Sequence, residues 1–334
     1  MTKRYVAAAI LGLITAPAFA QDVANFYKGK TVNIVVGFSS GGGYDLYARL
    51  LSRHYGRYLP GAPAFVVQNM PGAGSLTAVR SLDVRLPQDG TAIVAFNPGL
   101  ITDSLVEPER TKLSFTELTW LGSISKDFRV CYAWGETGIK TWEDVKNQKE
   151  FIVGVTGPGS SSYINSATLR TVFGLNVRQV AGYPGSAETR LAIQRGELHG
   201  DCGTWSAITP DWREQSRINP FVRFSRDKTP DIPESARFIG DFTSTQEQRD
   251  LIEFLIGPGE LGVPYVLSKR VPLDRLTALR AAFDATMKDK EFVSEATKMT
   301  FPIFPVSGAE AEKIVEKIYA ASPEMVARAA AAIK

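Results

Sequence analysis

One unit recurs three times in this chain and restricts its fold more than anything else. A strand candidate runs straight into a loop of glycine, serine and proline. The loops are residues 38–45 (Phe-Ser-Ser-Gly-Gly-Gly-Tyr-Asp), 69–74 (Asn-Met-Pro-Gly-Ala-Gly) and 157–163 (Gly-Pro-Gly-Ser-Ser-Ser-Tyr). The first follows the β-branched run 31–36 and opens onto a helix pattern at 44–58, with Leu46, Leu50, Leu51 and Tyr58 near one face. The third follows 151–155 and opens onto a helix running to about Phe173. Strands alternating with helices predict an α/β fold, a parallel sheet with helices on both faces. In such sheets ligands bind at the carboxyl ends of the strands.

The same alternation continues along the chain. Residues 64–68 and 91–96 read as strands, separated by a helix at 75–82. The pattern restarts with strands at 128–134, 151–155, 177–181 and 198–203 and a helix at 187–195, which predicts a second α/β unit. The last third holds a strand at 261–267, then helices at 273–287, 291–299 and 309–319 and an Ala-rich helical tail at 327–334. No close internal sequence repeat links the units. A length of 334 residues also favours two domains over one core.

The three loops contain no Lys or Arg. Glycine lets backbone approach closely, serine adds hydroxyl donors, and free amides at a helix start favour an anion. An anion there is expected to be held by neutral donors and water. Nucleotide readings fail. Tyr44-Asp45-Leu46 follows the three glycines, so the last glycine of a dinucleotide fingerprint is missing, and no Gly-Lys-Ser/Thr closes any loop.

The first twenty residues read as a secretory leader: Lys3 and Arg4, an apolar run at 5–14, then Ala18-Phe19-Ala20. Gln21 rather than Cys follows, so no lipid anchor is expected. The run is shorter than the roughly 20 apolar residues that span a bilayer. The expected product is a soluble periplasmic protein beginning at Gln21. Its formal charge, +3 before the leader is removed, gives no broad field for nucleic acid. Two Cys and two His argue against a metal cage, and no cofactor is expected. In an oxidising compartment Cys131 and Cys202 could pair, or remain as two buried thiols.

Several motifs resemble one family. Val35 to Asp45, followed by Ala48-Arg49, resembles the first strand and loop of the tripartite tricarboxylate transporter receptors, the Bug-type solute-binding proteins. Asn69 to Gly74 is similar to that family's Asn-x-Pro-Gly-Ala-Gly. Asp89-Gly90-Thr91, Gly157 to Ser160, Tyr183 to Ser186, Leu279 to Phe283 and Asp289 to Phe292 resemble further family motifs. The likeness runs from about Phe26 to the C-terminus. It implies a type II periplasmic binding fold, with lobes at 22–122 plus 223–334 and at 123–222 around a cleft. It implies a small carboxylate ligand (a di-, tri- or aromatic acid) held by backbone amides, small side chains and water. Delivery to one large and one small membrane subunit is implied too, and a monomer is expected. Ser39-Ser40 depart from the family's Pro-Pro, and Ser162-Tyr163 stand near where many members carry a His.

The ligand contacts expected are Phe38, Ser39, Ser40, Gly42, Gly43, Asn69, Asn97, Gly159, Ser160, Ser161, Ser162, Tyr183, Ser186 and Trp205. Asp45 reads as a stabiliser of the helix start rather than a contact. Asn69 has a second reading, as a side chain that fixes its loop. Asp201 would repel a carboxylate, which leaves it structural or the partner of a positive group on the ligand. Two other uses stay open in sequence: a receptor reporting to a membrane sensor kinase, and a hydrolase using Ser160, Ser161 or Ser162 with His54 or His199. The hydrolase lacks a Gly-x-Ser-x-Gly elbow.

Overall fold

The structure is a computed structural model that describes residues 18–334. Most of the expected leader, residues 1–17, lies outside the described residues. No helix among the described residues is long and apolar enough to cross a membrane.

Among the described residues twelve strands form two six-stranded sheets. They are β1 (Thr31–Val36), β2 (Ala64–Asn69), β3 (Ala92–Ala95), β4 (Leu118–Ser123), β5 (Arg129–Trp134), β6 (Phe151–Val155), β7 (Val177–Ala181), β8 (Gly200–Thr204), β9 (Ile218–Arg223), β10 (Arg237–Phe238), β11 (Pro264–Ser268) and β12 (Val306–Ser307). The first sheet has the order β12-β4-β11-β3-β1-β2, the second β10-β9-β5-β8-β6-β7. The five strands from β4 to β2 correspond in order and direction to those from β9 to β7, so the repeat absent from the sequence is present in the topology; the edge strands differ, β12 being antiparallel to β4 and β10 parallel to β9.

Neither sheet is wholly parallel. β2, β1 and β3 run parallel, as do β7, β6 and β8. β11 is antiparallel to both its neighbours, and so is β5. The reason is connectivity. The chain leaves the first sheet through β4 and returns to it through β11, so each sheet receives one strand from its partner, entering against the local direction. The second sheet also extends past residue 222, because Arg237–Phe238 pairs with Val222–Arg223.

The two crossings are hydrogen-bonded to each other. The Ile124 amide donates to Val263 O (3.1 Å), Val263 to Ser125 O (3.2 Å) and Asp127 to Gly259 O (2.7 Å). Both faces of each sheet are packed. Ile34, Val36, Tyr47, Leu51, Tyr265 and Phe283 fill one face of the first sheet, and Val35, Val94, Phe96 and Trp120 the other. Burial on both faces explains why β1 is a near-continuous apolar run.

Cys131 and Cys202 stand opposite each other on β5 and β8 and are joined in a disulfide. They are 71 residues apart in sequence, so the chain-entropy account assigns the bond about 4 kcal/mol. Thiol labelling of denatured, unreduced protein should find no free thiol, and reductant should lower the denaturation midpoint. Two labelled cysteines would refute the pairing.

Candidate functional site

A cavity lies between the sheets, at the carboxyl ends of β1, β3, β6 and β8. Its wall includes Phe38, Gly42, Gly43, Tyr44, Asn97, Thr156, Ser162, Ser186, Thr189, Arg129, Asp201 and Thr204. Its volume, measured to the centres of water-sized spheres, is about 60 Å³. At about 10–15 Å³ per water that is room for roughly four to six waters, hence for a small molecule.

Two helices begin at this cavity, one from each sheet. Gly43–His54 starts at Gly42 and Ser186–Gln194 starts at Gly185, and neither start carries a side-chain cap. A Cβ on Gly42 would lie 3.0 Å from the Ser186 hydroxyl, so the two starts face each other closely. Their first-turn amides and positive dipole ends converge on one volume. The acidic residues of both first turns are drawn aside. Asp45 accepts from the Gly41 amide, Arg49 Nε and Asn69 Nδ2, each at 2.9 Å. Burial opposes its charge, but those three donors hold its carboxyl below the usual range. Glu188 accepts from the Ser39 hydroxyl across the cleft (2.7 Å).

The third loop behaves differently from its sequence expectation. Ser160 caps its own helix by accepting from the Tyr163 amide (3.3 Å), and the Ser161 amide and hydroxyl both donate to Asn97 Oδ1 (2.8 and 2.7 Å). The Ser161 and Tyr163 amides of that helix start are taken by the protein, while Ser162 lines the cavity. Gly159 shows what the loop is for. Its φ is +80°, and a Cβ would strike the Asp103 carboxylate at 2.3 Å. Glycine there lets the loop seat against the first sheet's helix Gly99–Val106.

Of the expected contacts, Phe38, Gly42, Gly43, Asn97, Ser162 and Ser186 line the cavity. Ser39, Ser40, Asn69, Gly159, Ser160, Ser161, Tyr183 and Trp205 are not in its wall. Asn69 Nδ2 donates to Phe38 O (2.9 Å) as well as to Asp45, so it orders the first loop. Trp205 is a core residue whose indole donates to Asp231 (2.7 Å), and Tyr183 packs on the same core.

Sequence reasoning missed the cavity's guanidinium. Arg129 opens β5 and donates to Asp127 Oδ2, Cys202 O and Thr204 Oγ1, each at 2.9 Å. Burial opposes its charge most strongly, but Asp127, Tyr44 and Asp201 together outweigh burial and raise its pKa. The signal was present: Phe128 to Trp134 is apolar except for this arginine. Two wall groups lack hydrogen-bond partners among the described residues, the Tyr44 hydroxyl and Asp201 Oδ1. Burial pushes the Tyr44 phenol well up. It also raises the Asp201 carboxyl to about 6, despite the opposing field of Arg129.

Away from the cavity, His54, Asp289 and Glu291 lie together. Arg57 already pairs with both acids, and His54 Nε2 bonds Glu295 at 2.7 Å, so a cation's place there is taken.

No protein-family model matches the chain. A curated relative from Cupriavidus necator, described as "UPF0065 protein in gbd 5'region", is 25% identical over 241 residues, 68% of each chain. Among solved structures, the periplasmic binding protein BugD superposes with a TM-score of 0.73 at 19% identity, covering 91% of this chain and 96% of that one. An R. palustris protein solved with adipate gives 0.72 at 20% identity, covering 90% and 97%. MatC from Rhodopseudomonas palustris with bound malate gives 0.70 at 17%, covering 91% and 99%. The resemblance carried by the loop motifs therefore extends to the architecture: the chain has the two-lobed periplasmic-binding-protein fold of the Bug and TctC type.

Proposed function

We propose that this chain is a periplasmic receptor that captures a small organic carboxylate in the cleft between its lobes and presents it to a membrane transporter. The observation that carries the reading is the pair of uncapped helix starts, one per lobe, that meet over a small cavity. A carboxylate between them would take donors from both lobes and favour the closed form through contacts the open form lacks. Similar folds solved with adipate and malate support the same ligand class. Binding without turnover fits the serines. Ser160 bonds Gly157 O, Ser161 bonds Asn97, and His199 Nδ1 accepts from the Ile152 amide, so these groups are committed to structure.

A thermal-shift screen of the protein from Gln21 onward against mono-, di- and tricarboxylates, confirmed by calorimetry, tests this. One class should stabilise the protein in a concentration-dependent way, and failure of all of them would refute the reading. Affinity should change little between low and moderate salt. The one guanidinium that lines the cavity among the described residues is buried and already paired with Asp127, and buried pairs are weakly screened. A steep loss of affinity would point to exposed cations in recognition.

A further inference from the structure

Asp201 is left over from this account. It lies on β8, is 5% exposed and forms part of the cavity wall. Oδ2 accepts only a long bond from Thr189 (3.4 Å), and Oδ1 has no partner among the described residues. A ligand carboxylate offers no proton to it. A buried carboxylate oxygen is costly unless a donor meets it. The Cys202 amide and the Thr189 hydroxyl ease the charge, but among the described residues Oδ1 is left without a donor. Arg129 is spent on Asp127, Cys202 O and Thr204. Arg190 bonds Ala207 O (2.7 Å) and Gly41 O (3.3 Å), and Tyr132 acts on Asp201 only through its field.

Resting on the carboxylate reading, we infer that the ligand is an aminocarboxylate, whose ammonium group is received by Asp201 while its carboxylate meets the two helix starts. The cavity is then complementary at both poles. The donor pole is built from the helix-start amides and the Tyr44 hydroxyl, and the negative pole from Asp201. This is a charge-assisted contact, stronger than a neutral one. The raised Asp201 pKa of about 6 leaves it ionised at neutral pH and makes the contact sensitive to mild acid.

The test is calorimetry on the full mature protein with matched pairs: aspartate against succinate, glutamate against glutarate, γ-aminobutyrate against butyrate, β-alanine against propionate. At least one amino member should bind about tenfold or more tightly than its amine-free partner. Asp201→Asn, which keeps the shape and loses the charge, should reduce that preference to near unity. In the unaltered protein the amino ligand's affinity should fall as pH drops through about 6, which needs no variant to fold. Amine-free acids binding as tightly as their partners would overturn the inference and leave the carboxylate reading standing. So would a preference that survives in Asp201→Asn, or affinity that rises in acid. A preference for malate over both aspartate and succinate would reassign the donor to a hydroxyl and also overturn it. No binding in either series would overturn the inference, and the carboxylate reading would then stand or fall with the screen of mono-, di- and tricarboxylates.

Discussion

Gly42→Val should leave a folded protein that has lost most of its ligand affinity. The backbone there, φ −87° and ψ 168°, is extended and open to any residue, so no strain is expected in folding. The added atoms would point at Ser186, where even a Cβ meets the hydroxyl at 3.0 Å. A branched side chain must either prop the lobes apart or displace one helix start. Overpacking of this kind costs about 1–3 kcal/mol, a roughly five- to 150-fold loss of affinity. Calorimetry with the acid found by screening measures it, with circular dichroism as the folding control. Ser39→Ala removes one bond to Glu188 and should cost about 1 kcal/mol of closure. Unchanged affinity in folded Gly42→Val would show that the first loop does not meet the ligand.

Arg129→Met should be the most destabilising single change near the site. Arg129 and Asp127 are 5% and 6% exposed, and the pair sits where the first crossing enters β5. Removing the guanidinium strands a buried carboxylate. Breaking such a pair from one side costs about 3–5 kcal/mol, whereas removing both partners costs far less. Urea denaturation should therefore show a large fall in midpoint for Arg129→Met and partial recovery when Asp127→Asn is added. Equal losses in the single and double variants would show that packing of the arginine stem, rather than its charge, holds this corner.

The strands that the sequence displayed best were those with β-branched runs buried on both faces, β1 and β6 among them. The connecting strands were harder to see, for local reasons. Leu118–Ser123 carries Trp120 and Gly122 in place of a branched run. Ile218–Arg223 contains Pro220, which argues against a strand until the bulge is seen: Cys131 pairs with Val222 and Tyr132 with Pro220, leaving Phe221 as the extra residue. The strands that run against their sheets, β5 and β11, are both legible in sequence, but without β4 and β9 beside them nothing shows that each enters from the partner sheet.

At the site, Gly42, Gly43 and Asn97 were legible because loop chemistry and the end of a strand mark them. Asn69 and Ser161 look the same in sequence, yet their hydrogen bonds go to neighbouring loops. Arg129 is marked in sequence only as a lone charge in an apolar run, and Thr204 not at all, because β5 and β8 meet only through pairing across about 75 residues of chain.

The contact between Asn97 and Ser161 has a kinetic side. Asn97 Oδ1 takes three donors, from Gly99 and twice from Ser161, and all three belong to the protein. Together with the bond from Ser39 to Glu188, the two bonds from Ser161 join one lobe to the other in the closed form. For a receptor of the kind proposed, release of the solute then requires these bonds to open, so the latch sets part of the residence time. Weakening it by Ser161→Ala, which removes the hydroxyl donor worth about 1 kcal/mol, should raise the dissociation rate several-fold in stopped-flow measurements. An unchanged rate would show that the latch does not govern release.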